Sequence, residues 1–327
     1  MFEVRMNFQT RSRVDLICPK SRKETEMKRQ WYYRGSLKSC NYSCSYCPFS
    51  NQKGQHGNGS QNGSLSFELQ EDKTAFFHFI KEACGPEAIQ GAVQIIPYGE
   101  ALIHLYYWEG LAKLSRSPFL DAVGAQSNLS FPIEKMLSHY KECGGELGKL
   151  RLWGTFHPQM VSVERFIQQC HMLTSLNILY CVGVVGVPSH IEVIHKLRRA
   201  LPQSAYLWVN KMDGLGRAYT ISEKEAFLKI DPYFGLELSH YKADLSLCSD
   251  NRFIEADGTM HRCNLDRQII GNFYGRKLPE KTPACNRKEC SCYLSYCNRK
   301  DNALQPFLPY PAFRIPSGFS FHMPTPS

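Results

Sequence analysis

A chain of 327 residues with 39 Lys and Arg against 30 Asp and Glu is formally +9, and its 43% apolar content is enough to bury at least one large core. The longest uncharged apolar run, LYCVGVVGVP at 179–188, has half the length of a membrane span, and the first residues break every apolar run with a charge; the sequence therefore predicts a soluble, cytoplasmic protein with no membrane attachment. Fourteen cysteines in a reducing compartment point to metal binding and away from a disulfide framework.

In chain order, residues 1–29 form a basic segment with RSR, KSRKE and KRQ, read as a solvated surface in preference to a nucleic-acid contact. Strand-like runs then recur as QWYYRGSL (30–37), AVQIIPY (92–98), FLDAVGAQ (119–126), KLRLWGT (149–155), NILYCVGVVGVP (177–188), AYLWVN (205–210) and YFGLELS (233–239). Helical periodicity fills the gaps. SFELQEDKTAFFHFIKEACG puts Phe76, Phe79, Ile80 and Ala83 on one face, and SVERFIQQCHML does the same with Val163, Phe166, Ile167 and Cys170. Residues 51–64, rich in Gly, Asn, Gln and Ser, read as a mobile loop. This β-α alternation requires a parallel sheet faced by helices, as a closed or partial barrel or an open doubly wound sheet, with the loops that follow the strands sharing one functional face.

The rhythm stops after residue 240, and a domain boundary is expected near Ser239. Residues 240–305 hold Cys248, Cys263, Cys285, Cys290, Cys292 and Cys297, with a turn signal at Asp257-Gly258, and read as a small cysteine-rich domain. Residues 306–327 are a proline-rich tail, expected to pack on the surface or over the mouth of the site. Cys18, Cys84, Cys143, Cys170 and Cys181 carry no spacing signal and are assigned no chemistry.

The first strand runs into SCNYSCSYCPFS, which spaces Cys40, Cys44 and Cys47 as Cys-x3-Cys-x2-Cys. Three thiolates from one tight loop can hold a four-iron, four-sulfur cluster and leave one corner without a protein ligand, whereas four cysteines normally fill it. The alternative is a tetrahedral zinc site completed by His56. The spacing, with Tyr46 before the third cysteine, resembles the signature of the radical S-adenosylmethionine (SAM) superfamily.

Three further segments resemble that superfamily where its fold requires them. In IIPYGEALI the Gly-Gly-Glu motif appears with Tyr98 in place of its first glycine, which implies that Gly99 and Glu100 meet the methionyl end of SAM. AQSNLSF implicates Ser127 and Asn128 at the ribose and nearby polar atoms, and LWGTFHP places Thr155 and His157 on the same rim, with His157 as acid, base or hydrogen-bond donor. Asn210, Lys211 and Asp213 read either as pocket residues or as an ordinary turn. Cys248-x9-Gly258-x4-Cys263 resembles the opening of SPASM and twitch auxiliary-cluster domains, although Cys285-x4-Cys290-x-Cys292-x4-Cys297 departs from the full SPASM spacing.

The resemblance implies a partial (β/α)6 TIM-type barrel followed by a SPASM/twitch-like domain. Its cofactors would be a SAM-binding 4Fe-4S cluster, SAM and at least one auxiliary 4Fe-4S cluster, fed by a flavodoxin- or ferredoxin-type electron donor. SAM would be cleaved reductively to a 5′-deoxyadenosyl radical that abstracts hydrogen from a substrate, with a peptide or protein as first reading and a small molecule such as a nucleotide or sugar as second. From another class, a zinc-stabilised RNA- or protein-binding module is the competing reading.

Overall fold

The two-residue period of a strand sends neighbouring side chains to opposite faces, so each face of a sheet needs its own covering. The computed structural model describes residues 29–47, 61–85, 89–239, 241–242, 251–275, 285, 287–290 and 308–317. Their order is β1 (Gln30–Gly35), α1 (Gln61–Ala83), β2 (Gly91–Ile95), α2 (Leu105–Ser115), β3 (Leu120–Ser127), α3 (Ile133–Glu142), β4 (Leu150–Phe156), α4 (Val163–Ser175), β5 (Leu179–Val185), α5 (Ile191–Ala200), β6 (Leu207–Asn210), α6 (Ile221–Ile230), α7 (Phe234–Glu237), β7 (Tyr241–Lys242), β8 (Asn251–Glu255), β9 (Thr259–His261), β10 (Ile269–Asn272) and β11 (Glu289–Cys290).

Strands β1 to β6 lie side by side in sequence order, each parallel to the next. A doubly wound sheet would reverse its order part-way, so a constant direction of travel, with right-handed crossovers, leaves the crossover helices on one face and curls the sheet towards a barrel. The packing agrees. Trp31, Tyr33, Val93, Ile95, Val123, Ala125, Leu152, Val182 and Val209 share one core with Phe76, Phe79, Leu111, Leu137, Phe166 and Leu197 from the helices. Tyr33 stacks on Phe79 with centroids 4.3 Å apart, which fastens β1 to α1.

The sheet continues past β1 on its other side: β8 pairs with β1 in parallel, and β9 and β10 follow antiparallel, giving nine strands ordered β10-β9-β8-β1-β2-β3-β4-β5-β6. The hairpin expected at Asp257-Gly258 is present. Gly258 adopts φ +81°, and its carbonyl accepts from Phe273 N. Tyr32 stacks on Phe253 of β8 at 4.3 Å, so the cysteine-rich segment is bonded into the barrel wall. A separate two-stranded sheet pairs β7 with β11.

The inner face is filled from an unexpected source. The sequence suggested that the tail would lie on the surface or over the mouth, but residues 308–317 enter the barrel at the N-terminal ends of its strands. Phe313 packs on Ala92 and Ala122, Ala312 on Tyr32 and Phe253, and Leu308 on Trp153, Cys181, Tyr206 and Trp208. Small residues on the inner face leave room that this segment occupies. The backbone is tied in as well: Gln30 Oε1 accepts from Ala312 N, and Trp208 Nε1 donates to Arg314 O at 2.8 Å. Arg314 is wholly buried, lies over the Trp153 ring at 3.6 Å and pairs with Glu237 at 3.4 Å.

Two more expectations change. YFGLELS was read as a strand, yet Phe234–Glu237 is a short helix. Asp231-Pro232 starts it, because the Asp231 carboxylate accepts from Tyr233 N and Val209 N, and helical spacing buries both Phe234 and Glu237. The loop expected through residue 64 ends earlier, since α1 begins at Gln61; residues 51–60 lie outside the described residues. Among the described residues no helix is long and apolar enough to cross a membrane.

Replacing Phe313 by Ala removes the largest buried apolar side chain of the inner plug and is expected to lower stability by about 3–5 kcal/mol in urea unfolding, whereas a surface-bound tail would give a change near zero.

Candidate active site

The cysteine loop leaves β1 at the C-terminal end of the barrel, and its shape is imposed by α1. Asp72 Oδ1 accepts from Ser36 N (2.9 Å), Leu37 N (2.8 Å) and Ser36 Oγ (3.1 Å). Its other oxygen accepts from the hydroxyls of Tyr106 (2.8 Å) and Tyr107 (2.7 Å) of α2. One turn earlier on α1, Glu68 Oε1 accepts from Lys38 N (2.6 Å) and Ser39 N (2.7 Å). Four consecutive backbone N–H groups are thus held by two carboxylates at i and i+4, and Cys40 follows immediately. The loop is held further by Asn41, which donates to Ser130 Oγ and accepts from Asn128 Nδ2, and by Gln159, which accepts from Ser45 N.

Gly99 meets the same loop from β2. Its N–H donates to Leu37 O and that of Glu100 to Ser39 O, and a Cβ on Gly99 would lie 1.9 Å from Ser39 O. The glycine is required by this close backbone approach.

Cys44 is buried; Cys40 and Cys47 are half-buried, and none of the three is in a disulfide. Burial, then the nearby Cys47 and Cys40, push the Cys44 thiol up to about 11. Thiolates that repel one another in a desolvated loop need a cationic centre to ionise together, and this donor set of three sulfurs fits an iron-sulfur cluster. Among the described residues no group of three or more His, Cys, Asp or Glu side chains is gathered for a single metal ion, and His56 lies outside the described residues.

His157 faces this loop from the end of β4. Its Nδ1 lies 3.3 Å from Cys44 Sγ and 3.1 Å from the Tyr46 hydroxyl, and its ring stacks on Tyr46. Burial lowers its pKa to about 4, so the ring is neutral at neutral pH and can accept at Nδ1.

Glu100, Ser127 and Asn128 form one cluster. Ser127 Oγ donates to Glu100 Oε1 at 2.7 Å, Asn128 N to Oε2 at 2.7 Å and Leu102 N to Oε1 at 3.1 Å. Burial raises the Glu100 carboxyl from 4.5 to about 7 against these bonds, which lower it. The carboxyl is therefore turned inwards to brace the loop after β3. Thr155 stands on the inner face beside Gln126, whose Nε2 donates to its hydroxyl at 3.4 Å. Asn210 and Lys211 end β6 on Glu237: Asn210 Nδ2 donates to Oε1 and Lys211 N to Oε2.

Of the second cysteine group, Cys263 follows β9 and packs beside Tyr32 and Phe253, and Cys290, in β11, is near enough for its charge to raise the Cys263 thiol, after the larger effect of burial. Cys285 is half-buried; Cys248, Cys292 and Cys297 lie outside the described residues. Sequence reading missed Asp72, Glu68, Asn41 and Gln159. The i, i+4 acidic pair on α1 was visible, but nothing local said what it would face.

No known protein family and no curated protein matches the sequence. Among solved structures, hexahistidine-tagged anSMEcpe with bound AdoMet aligns with a TM-score of 0.50 at 13% identity, over 76% of this chain and 75% of that one. Native anSMEcpe with bound AdoMet and Cp18Cys peptide gives 0.49 at 14%, over 75% and 77%. BtrN in complex with AdoMet and 2-DOIA gives 0.36 at 14%, over 78% and 81%. At such identity the likeness is one of fold, and anSMEcpe is an anaerobic sulfatase-maturating radical SAM enzyme with a SPASM domain. The chain shares the fold of that enzyme.

Two outcomes test how this fold holds its mouth. Asp72→Ala strands two backbone N–H groups and two tyrosine hydroxyls away from water, and should cost about 3–5 kcal/mol with faster amide exchange at Ser36 and Leu37; Glu68→Ala, at an exposed edge, should cost about 1 kcal/mol. Equal costs would contradict the geometry. For Glu100 the sign follows from a folded pKa above the unfolded one: the native state holds the proton more tightly, so this group's stabilisation is complete below pH 4.5 and falls as pH rises to about 7. Urea unfolding at several pH values should show the difference between wild type and Glu100→Gln changing by up to about 3 kcal/mol across that window, where a normally titrating carboxyl would show none.

Proposed function

We propose that this protein is a radical SAM enzyme acting on a peptide or protein. The observation that carries the reading is the Cys40, Cys44, Cys47 loop at the C-terminal mouth of a six-strand parallel barrel, braced by Asp72 and Glu68. Those three cysteines would hold a 4Fe-4S cluster with one corner left for SAM. When bound, the cluster supplies the electron that cleaves SAM to a 5′-deoxyadenosyl radical.

The chain's own residues bind, orient and exclude water. Gly99 lets the loop after β2 close against the cysteine loop, and Glu100 presents Ser127 and Asn128 in fixed positions for the methionyl and ribose groups. Thr155 and Gln126 offer polar atoms on the inner face. Tyr46 shields the cysteine loop, and neutral His157 accepts from Tyr46 beside Cys44, a hydrogen-bonding role in place of proton transfer to substrate. The inner plug covers the inner face at the N-terminal ends of the strands, opposite the cysteine loop.

Cys263, Cys285 and Cys290, with Cys248, Cys292 and Cys297, are the donors for at least one auxiliary 4Fe-4S cluster, and a flavodoxin- or ferredoxin-type protein would deliver the electron. The hairpin with Gly258 in its turn supports the SPASM/twitch resemblance, and through it the peptide substrate.

Anaerobic reconstitution tests the reading. The expected product is brown, gives an electron paramagnetic resonance signal on reduction that changes when SAM is added, and releases 5′-deoxyadenosine. Cys44→Ala should lose the SAM-responsive signal and the release while keeping the auxiliary iron. A colourless protein with stoichiometric zinc would overturn it.

A further inference from the structure

Five arginines are buried among the described residues: Arg34, Arg198, Arg252, Arg262 and Arg314. Four have an anionic or carbonyl oxygen. Arg314 pairs with Glu237 and Arg262 with Asp266, both at 3.4 Å; Arg198 donates to Ala205 O and Pro202 O, and Arg252 to Asn251 O. Arg34 differs. Its Nη2 donates to the neutral Asn264 Oδ1 at 2.9 Å, and among the described residues no carboxylate lies within ion-pair distance; its Nε, like those of Arg198, Arg262 and Arg314, is buried with no hydrogen-bond partner.

The position of this cation is informative. Arg34 is 8% exposed, belongs to β1 and shares the inner face with Tyr32, while Trp31 and Tyr33 face the helices. Its guanidinium lies 4.7 Å from the Tyr98 ring centroid and 6.0 Å from that of Phe253. Tyr98 immediately precedes Gly99, and Asn264 immediately follows Cys263. The guanidinium therefore stands between the loop assigned to SAM and the loop assigned to the auxiliary cluster.

A guanidinium remains charged in any protein, and burying it without an anion is costly. Aromatic rings near the guanidinium partly offset that cost and fix its plane, and Asn264 fixes its rotation about that plane. A planar donor fork held in this way is matched by a planar carboxylate, which accepts in the plane of the fork.

We propose that Arg34 is a substrate-anchoring residue that takes a carboxylate group of the substrate, an acidic side chain or C-terminus if the substrate is a peptide. This rests on the radical SAM reading for the identity of the inner face as the substrate site. The SAM carboxylate is not its partner, because in that reading it completes the under-ligated iron.

The test is a titration of reconstituted full-length protein labelled with 15N, following the Arg34 side-chain resonance, assigned by its loss in Arg34→Lys. Acetate, N-acetylglutamate amide, inorganic phosphate and SAM are added separately. Acetate and N-acetylglutamate amide should shift the resonance saturably, the second should bind at least tenfold more weakly to Arg34→Gln, and SAM affinity should be the same in both proteins. Should Arg34→Gln not fold, the wild-type titration decides alone, supported by Asn264→Ala, in which the response should weaken without vanishing. No response to either carboxylate, a response to phosphate only, or a tenfold loss of SAM affinity in Arg34→Gln overturns the proposal. Binding needs no turnover, so a missing shift in an iron-loaded protein that releases 5′-deoxyadenosine counts against Arg34 alone, and a shift in a colourless zinc protein counts against the radical reading alone.

Discussion

The Asp72 carboxylate is the constraint on which the mouth of the barrel depends. It accepts from two backbone N–H groups and three hydroxyls, supplied by the segment after β1 and by α2. A buried carboxylate is costly in isolation, and here five donors compensate it. A serine-rich loop carrying three cysteines has no preferred shape of its own. The shape comes from α1, whose apolar stripe is already fixed against β1 by Tyr33 and Phe79. Packing energy from the core is thereby converted into a defined position for Cys40.

The sheet has two unlike coverings. Helices bury one face in the usual manner of parallel sheets, and the other is closed at one end by residues 308–317. Arg314 carries this arrangement. It adopts φ +50°, a conformation uncommon for a side-chain-bearing residue, and sits against Trp153 and Trp208 while bonded to Glu237. Glu237 in turn receives the end of β6, so the plug, α7 and the sixth strand form one bonded unit.

What the sequence disclosed was local. Strands β1 to β6 and the helices between them follow from periodicity and caps, and the cysteine triplet follows from its own close spacing. The hairpin at Gly258 was legible because a turn is a short-range event. YFGLELS misled because alternation over a few residues suits a strand and a single helical turn alike, and Asp231, which decides between them, works through its contacts with Val209 and Tyr233. Asp72 bonds to residues 35 and 36 positions away, and Arg34 to one 230 away; no window on the sequence contains such pairs. The proline-rich tail was misjudged for the same reason, because its destination is defined by small side chains scattered over several strands.

The order in which the barrel can be assembled follows from where its floor comes from. Strands β1 to β6 of the wall all precede residue 308 in the chain, so during synthesis the parallel sheet emerges around a hollow that only a later-made stretch can fill. Trp153, Trp208 and Tyr206 owe part of their cover to Leu308 and Arg314 of that stretch. A chain cut short before that point would lack this cover, a state recognisable by aromatic surface that the finished protein conceals.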